Sequence, residues 1–243
     1  MEKTRKLINC DLGECLDPDP DGQIMPLINQ ASIACGGHVG NSESMKKTVK
    51  LAKQYQVSIG AHPSYPDKAN FGRVSLPMSL KSLFDSILMQ VNALEAVCLE
   101  QNVKMDYIKP HGALYHDMMH QKQITELLCD VIKAKYPDLK LIVQAGINTK
   151  QMLAVAQEKG VQLLFEAFAD RGYRGVELKS RSEQGAVLAS PEEIKSQYQE
   201  LMESDLFQID TICFHFQIDT ICFHSDHASS VTALQQIKTS TAC

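Results

Sequence analysis

Tyr107-Ile108-Lys109-Pro110-His111 reads as a short apolar strand that ends on a histidine. The pattern recurs in Ile33-Ala34-Cys35-Gly36-Gly37-His38, in Val57-Ser58-Ile59-Gly60-Ala61-His62 and in Thr220-Ile221-Cys222-Phe223-His224. Leu7-Ile8-Asn9-Cys10-Asp11 is a fifth such run; it stops on an acid, and Glu14 follows. Short apolar runs alternating with longer helical patterns indicate βα units and a parallel sheet. In such a sheet every strand opens its C-terminal end onto one face, where the active sites of barrels and open α/β sheets form. Residues scattered along the sequence then converge at one mouth, and an enzyme is the leading reading.

Working outward, strands are expected near 7–12, 31–36, 57–61, 106–110, 140–145, 162–167 and 219–224. Between them, Met45, Val49 and Ala52 share one face of a helix that Asn41 can cap. Leu80, Leu83, Phe84, Ile87, Val91 and Leu94 form a longer stripe, and Ile124, Leu127, Leu128, Val131 and Ile132 another. Ser190-Pro191-Glu192-Glu193 is a capping box with proline at the first helical position. Seven strands fit a closed seven-stranded βα (TIM-like) barrel or an open doubly wound sheet. The α/β barrel is favoured, because candidate ligand groups come from nearly every strand end rather than from one switch point. No Pro/Gly/Ser-rich linker divides the chain, so residues 1–243 are read as one domain.

The 243 residues are 44% hydrophobic, enough for a sizeable core, and a net charge of -5 leaves no basic footprint for nucleic acid. Met1 to Lys6 lead straight into a strand without an apolar leader, and no run is read as long enough to span a bilayer. The expectation is a cytoplasmic protein with no membrane partner. Eight cysteines include no Cys-x-x-Cys pair; Cys10, Cys35, Cys213 and Cys222 are read as reduced and structural. Phe207 to His215 is repeated identically as Phe216 to His224. One strand slot takes one copy. Only the second runs into Ser225-Asp226, so His224 and Asp226 are expected at the site and His215 in a connection.

The strand-end motifs each carry a functional and a bland reading. Asp11-Leu12-Gly13-Glu14 offers a general base, a metal ligand or both, against a turn with a solvated glutamate. The glycines before His38 let backbone approach a ligand, against a sharp βα turn with an incidental histidine. His62 opens a proline-stiffened loop that leads to Phe71-Gly72-Arg73, where Arg73 suits an anionic ligand or a surface ion pair. Lysine inside an apolar strand needs a partner or a use, and Glu166 is the obvious partner for Lys109. Arg171, Arg174, Lys179 and Arg181 follow the sixth strand and suit a phosphate or carboxylate, with Lys179 read as solvated. Asp11, His38 and His62 are the metal candidates, and a divalent cation is a candidate cofactor. His116 and His120 are i, i+4 on a helix, but no strand end presents them. Neither a Gly-x-Ser-x-Gly elbow nor a Gly-x-x-x-x-Gly-Lys-Ser/Thr loop occurs.

Together these motifs resemble the LamB/YcsF family. The resemblance rests on Asn9-Cys10-Asp11-Leu12-Gly13-Glu14, on Ala31 to His38, on Ile59 to Asp67 and on Phe71-Gly72-Arg73. It continues in Lys109-Pro110-His111-Gly112-Ala113-Leu114-Tyr115, in Glu166 to Tyr173 and in Ile221 to Asp226, in the family's order and over nearly the whole chain. It implies a seven-stranded barrel similar to those of glycoside hydrolases and polysaccharide deacetylases. It also implies the A subunit of an ATP-dependent 5-oxoprolinase, which opens the lactam 5-oxoproline to L-glutamate with partner subunits B and C and takes its ATP through them. On that reading Asp11 or Glu14, with His38 or His224, deprotonates water. Lys109 and Arg171 stabilise developing charge, Glu166 orients Lys109, and His111 and Asp226 complete the catalytic set. His62 and Arg73, with Glu166 and Arg171, bind substrate. The competing readings are a metal-dependent deacetylase or amidohydrolase and a non-catalytic lactam-binding subunit. Asn41 stands where the family usually has aspartate, the stretch Leu178-Lys179-Ser180-Arg181 is one residue shorter, and the duplication is not a family feature.

Overall fold

The computed structural model describes residues 6–203, 206–209, 212–215 and 218–241. Its strands are β1 (Leu7–Leu12), β2 (Gln30–Ala34), β3 (Ser58–His62), β4 (Met105–Ile108), β5 (Lys140–Gln144), β6 (Leu163–Phe168), β7 (Tyr173–Arg174), β8 (Glu177–Leu178), β9 (Leu206–Ile209), β10 (Ile212–His215) and β11 (Thr220–His224). The helices are α1 (Asp21–Ile24), α2 (Ser42–Tyr55), α3 (Leu80–Glu100), α4 (Gly112–His120), α5 (Lys122–Lys135), α6 (Thr149–Lys159), α7 (Pro191–Glu203) and α8 (Ala228–Thr241). Seven parallel strands close into a barrel in the order β1-β11-β6-β5-β4-β3-β2, while β7–β8 and β9–β10 are antiparallel pairs outside it.

Strand alternation decides what enters the barrel. Along β1, Ile8, Cys10 and Leu12 join the apolar core, whereas Asn9 and Asp11 meet Lys109 inside. Along β11, Ile221, Cys222 and Phe223 all belong to that core, with Phe223 against Tyr198 of α7, and Cys222 also meets Lys109. The barrel closes where β1 pairs with β11, from Leu7 opposite Thr220 to Asp11 opposite His224. Asp219 pins the entry to that strand: its carboxylate accepts from Phe165 N (2.8 Å) and its carbonyl from Leu7 N (2.9 Å). The second copy of the repeat therefore supplies the seventh barrel strand, and the described residues of the first lie in the antiparallel β9–β10 pair, with His215 at its end.

Helix starts follow their caps. Asn41 accepts from Glu43 N and Ser44 N at 2.9 and 3.0 Å, and Ser190 and Glu193 make the reciprocal bonds of a capping box at 3.1 and 3.3 Å. Two expectations need correction. The second strand stops at Ala34, because Gly36 turns out of the extended region at φ 98 and donates to the Val39 carbonyl (2.9 Å). His38 is thus presented by a loop. The 21 residues of α3 do reach bilayer-spanning length and apolarity, contrary to the expectation that no run would. Leu83, Ile87, Val91 and Leu94 of that helix are buried in the barrel's core.

Candidate active site

At the barrel's C-terminal mouth, Lys109 leaves the end of β4 and turns inward, buried to 2% exposure. Its ammonium lies 2.9 Å from Asp11 Oδ1, 2.8 Å from Glu166 Oε1, 3.0 Å from Asn9 Oδ1 and 3.2 Å from Cys222 Sγ. Tyr115 donates to the other Glu166 oxygen at 3.0 Å, and Asn9 Nδ2 donates to Thr220 Oγ1 at 2.9 Å. Burial alone would strip the charges. For Lys109 it is outweighed by Asp11 and Glu166, which hold the ammonium's pKa well above the ordinary value. For Asp11 burial is outweighed by His62, Lys109 and His224, which hold the carboxyl below the usual range. Burial does win at Glu166 and raises it. Burial also raises the thiols of Cys10 and Cys222, which suits the structural reading of both. Cysteines 10, 15, 35, 98, 129 and 222 are all free.

A second buried group, Glu14, His38, His62 and His111, adjoins the first. His62 Nδ1 lies 2.7 Å from the Lys109 carbonyl oxygen, and His111 Nε2 3.0 Å from that of Phe71. His62 Nε2 faces His111 Nδ1 at 3.0 Å. His38 stacks on His111 with ring centroids 3.7 Å apart, and its Nε2 is 3.5 Å from Glu14 Oε1. Neither ring nitrogen of His38 has a hydrogen-bond partner among the described residues. Gly72 permits this stack: at φ 66, a Cβ there would stand 2.9 Å from His38 Cβ and 3.1 Å from His111 Cδ2. Burial brings His38 and His62 down to about 4 and His111 well below its ordinary value, while burial and then the Asp11 charge raise Glu14 to about 7. The four side chains could hold a divalent metal ion, since their ligand atoms all lie within 4.8 Å of one another.

A third unit is a histidine–carboxylate pair. His224 Nδ1 lies 2.9 Å from Asp170 Oδ1, and the other Asp170 oxygen accepts from His224 N and Ser230 Oγ, both at 2.6 Å. A carboxylate on Nδ1 fixes that proton and leaves Nε2 to accept one. Burial opposes the charge on Asp170, but the His224 charge and hydrogen bond outweigh it and hold the carboxyl low. His224 faces a cavity of about 540 Å³ that Asp11, Glu14, His62, Lys109 and His111 also line. Its rim carries Arg73 Nη2 and Arg181 Nη1, each 3.1 Å from Asp226 Oδ2. Arg171 lines the same cavity, with Nε and Nη2 donating at 2.8 Å to the carbonyls of Ala186 and Lys179.

Asp11, Glu14, His62, Arg73, Lys109, His111, Arg171, His224 and Asp226 all line this one cavity, and His38 and Glu166 sit directly behind it. The carboxylate on His224 is Asp170, while Asp226 lines the same cavity and closes onto the rim arginines. Two details differ from expectation. Among the metal candidates Asp11 is taken by Lys109, and Glu14 and His111 join His38 and His62 instead. Lys179 lines the mouth rather than lying apart from it, and His116 and His120, carried by α4 and not by a strand end, line it too. Motif reading misses Asn9, although strand period two places it on the same face as Asp11.

The sequence profile of the LamB/YcsF family matches residues 7–242. A protein of Vibrio cholerae serotype O1 that bears the name of the 5-oxoprolinase A subunit is 42% identical over 229 residues, which cover 88% of this chain and 92% of that one. Its namesake from Vibrio vulnificus is 38% identical over 251 aligned positions, covering 98% and 97%. Among solved structures, the lactam utilization protein of Thermus thermophilus superposes with a TM-score of 0.85 at 28% identity, covering 98% of both chains. With a family match over residues 7–242 and relatives at about 40% identity over most of the chain, the chain belongs to the LamB/YcsF family.

Proposed function

We propose that this chain is the A subunit of an ATP-dependent 5-oxoprolinase and carries out lactam opening, with subunits B and C supplying the ATP-dependent activation in the cytoplasm. The observation that carries this reading is the convergence on one cavity of a held histidine base, a buried acid–lysine group and a cationic rim. The relatives' shared name supports it.

A lactam is a poor electrophile, and phosphorylation of its oxygen makes the ring carbon reactive. The sequence has no phosphate loop, so the ATP site is assigned to the partners. His224, oriented by Asp170, takes a proton from water as the water oxygen bonds to the activated carbon. The C–N bond then breaks and its electron pair passes to the ring nitrogen, which takes the proton held on His224, while the added hydroxyl gives its own proton to His224 as the carbonyl re-forms. An acyl phosphate remains, and a second water releases phosphate and glutamate. Asp11, paired with Lys109 at 2.9 Å, faces the cationic character that builds on His224. Arg171 and the rim arginines Arg73 and Arg181 hold the phosphate.

The test is glutamate and ADP release from 5-oxoproline and ATP by the reconstituted three-subunit complex. Coupled release that disappears when this chain is omitted is expected. Equal release without it would overturn the reading.

A further inference from the structure

We propose that Glu14, His38, His62 and His111 bind one divalent transition-metal ion of the zinc class, through Glu14 Oε1, His38 Nε2, His62 Nε2 and His111 Nδ1. Backbone carbonyls fix two of the tautomers. A carbonyl only accepts, so His62 carries its proton on Nδ1, toward Lys109 O, and His111 carries its own on Nε2, toward Phe71 O. The lone pairs of His62 Nε2 and His111 Nδ1 therefore face each other at 3.0 Å with no donor between them. A cation bound by both removes that repulsion. Ring N–H groups held by carbonyls are also how metal-ligating histidines are oriented.

His38 gives an independent indication. It is 2% exposed, yet neither nitrogen has a hydrogen-bond partner among the described residues. A buried polar group left in that state is costly, and coordination would satisfy Nε2. The spacing fits as well. Zinc bonds of about 2.0–2.1 Å place the corners of a tetrahedron roughly 3.3 Å apart. The donor separations are 3.5 Å for His38–Glu14, 3.0 Å for His62–His111 and 3.7 Å for His111–Glu14. Three imidazoles and a carboxylate suit zinc and its first-row neighbours rather than magnesium or calcium.

Two other groups are poorer hosts. Asp11, Cys222 and His224 also lie close together, but the Lys109 ammonium already sits 2.9 Å from Asp11 Oδ1 and 3.2 Å from Cys222 Sγ. His116 and His120, with rings 4.4 Å apart on α4, offer two exposed ligands only. An ion at the Glu14 site would stand beside Asp11, which lies 3.5 Å from His62 Nε2, with its four positions filled by protein ligands as in a structural site. The proposal is independent of the ring-opening reading, because binding is measured on the isolated chain without ATP, substrate or partners.

The experiment uses the full chain carrying His116→Ala and His120→Ala, which removes the exposed pair. After chelation and dialysis it is titrated with zinc chloride by calorimetry and with cobalt chloride by visible absorption. One equivalent of each ion, a tetrahedral cobalt spectrum and a zinc-dependent rise in Tm are expected. Glu14→Gln should weaken zinc binding about 100-fold or more. His38→Phe keeps the ring packing, so it should melt cooperatively while losing the zinc-dependent rise. Absence of stoichiometric binding in the parent overturns the proposal, and so does unchanged affinity in folded Glu14→Gln and His38→Phe.

Discussion

Two buried polar groups lie side by side at the mouth, and they differ in whether opposite charges face each other. Around Lys109, an ammonium faces Asp11, Glu166, Asn9 and Cys222, and Tyr115 takes up the remaining Glu166 oxygen. Around His38, two imidazole lone pairs face each other and a third ring has no hydrogen-bond partner among the described residues. The depth is the same and the chemistry is opposite. A matched group holds the barrel's interior together, whereas an unmatched one is stability given up in favour of a ligand.

The sharpest way to break this comparison is Lys109→Met. It leaves two acids buried without their counter-charge, and the expected loss is about 3–5 kcal/mol in chemical denaturation. Activity of the complex should vanish with it. A variant as stable as the parent would mean that the Lys109 group is not the structural one.

Asp170→Asn tests the third unit, which combines both characters. It should lower turnover of the complex by about 100-fold, by releasing the His224 tautomer. Its pH signature is separate. Asp170 is held below the usual carboxylate range, so it adds stability above about pH 4 and loses it as pH falls through its folded pKa. Melting the parent and variant from pH 7 down to acid should show a shallower acid limb in the variant. Identical limbs would show that the ion pair contributes no stability.

His38→Phe sharpens the contrast from the other side. Replacing an unmatched polar ring with an apolar one of similar shape should change stability by less than about 1 kcal/mol without metal. A loss as large as that of Lys109→Met would show that His38 is matched after all.

Much of this was legible from local pattern. Apolar runs ending on His62, Lys109 or His224 announce parallel strands, and parallel strands announce a shared mouth. The pairing of Lys109 with Glu166 could be read because an isolated charge of either sign in an apolar strand demands the other. Partner choice among loop residues could not be read. Asp170 reaches His224 across 54 positions, and Ser230 meets the same carboxylate from α8. Glu14 meets His38 and His111 from separate loops, and Gly72 makes room for the two rings to stack. Such contacts depend on where loops return, which periodicity does not encode.

The smallest expected effect concerns the repeat. Deleting residues 207–215 should leave Tm and turnover within error of the parent, because β11 remains in place between β1 and β6. A large loss would give the β9–β10 pair a structural duty.

The repeat also makes the chain its own competition experiment. Ile212 to His215 and Ile221 to His224 are the same tetrapeptide, offered to one vacancy by a single polypeptide. The downstream contender is seated between β1 and β6, and the upstream one pairs back on Leu206–Ile209. Composition cannot have chosen between identical candidates. Neighbours did: Ser225 ties itself to the Asp11 carbonyl at 2.8 Å, and Asp226 reaches both rim arginines. A barrel strand is thus addressed by the chain that follows it, and grafting Ser-Asp after His215 would pit two equally addressed strands against each other.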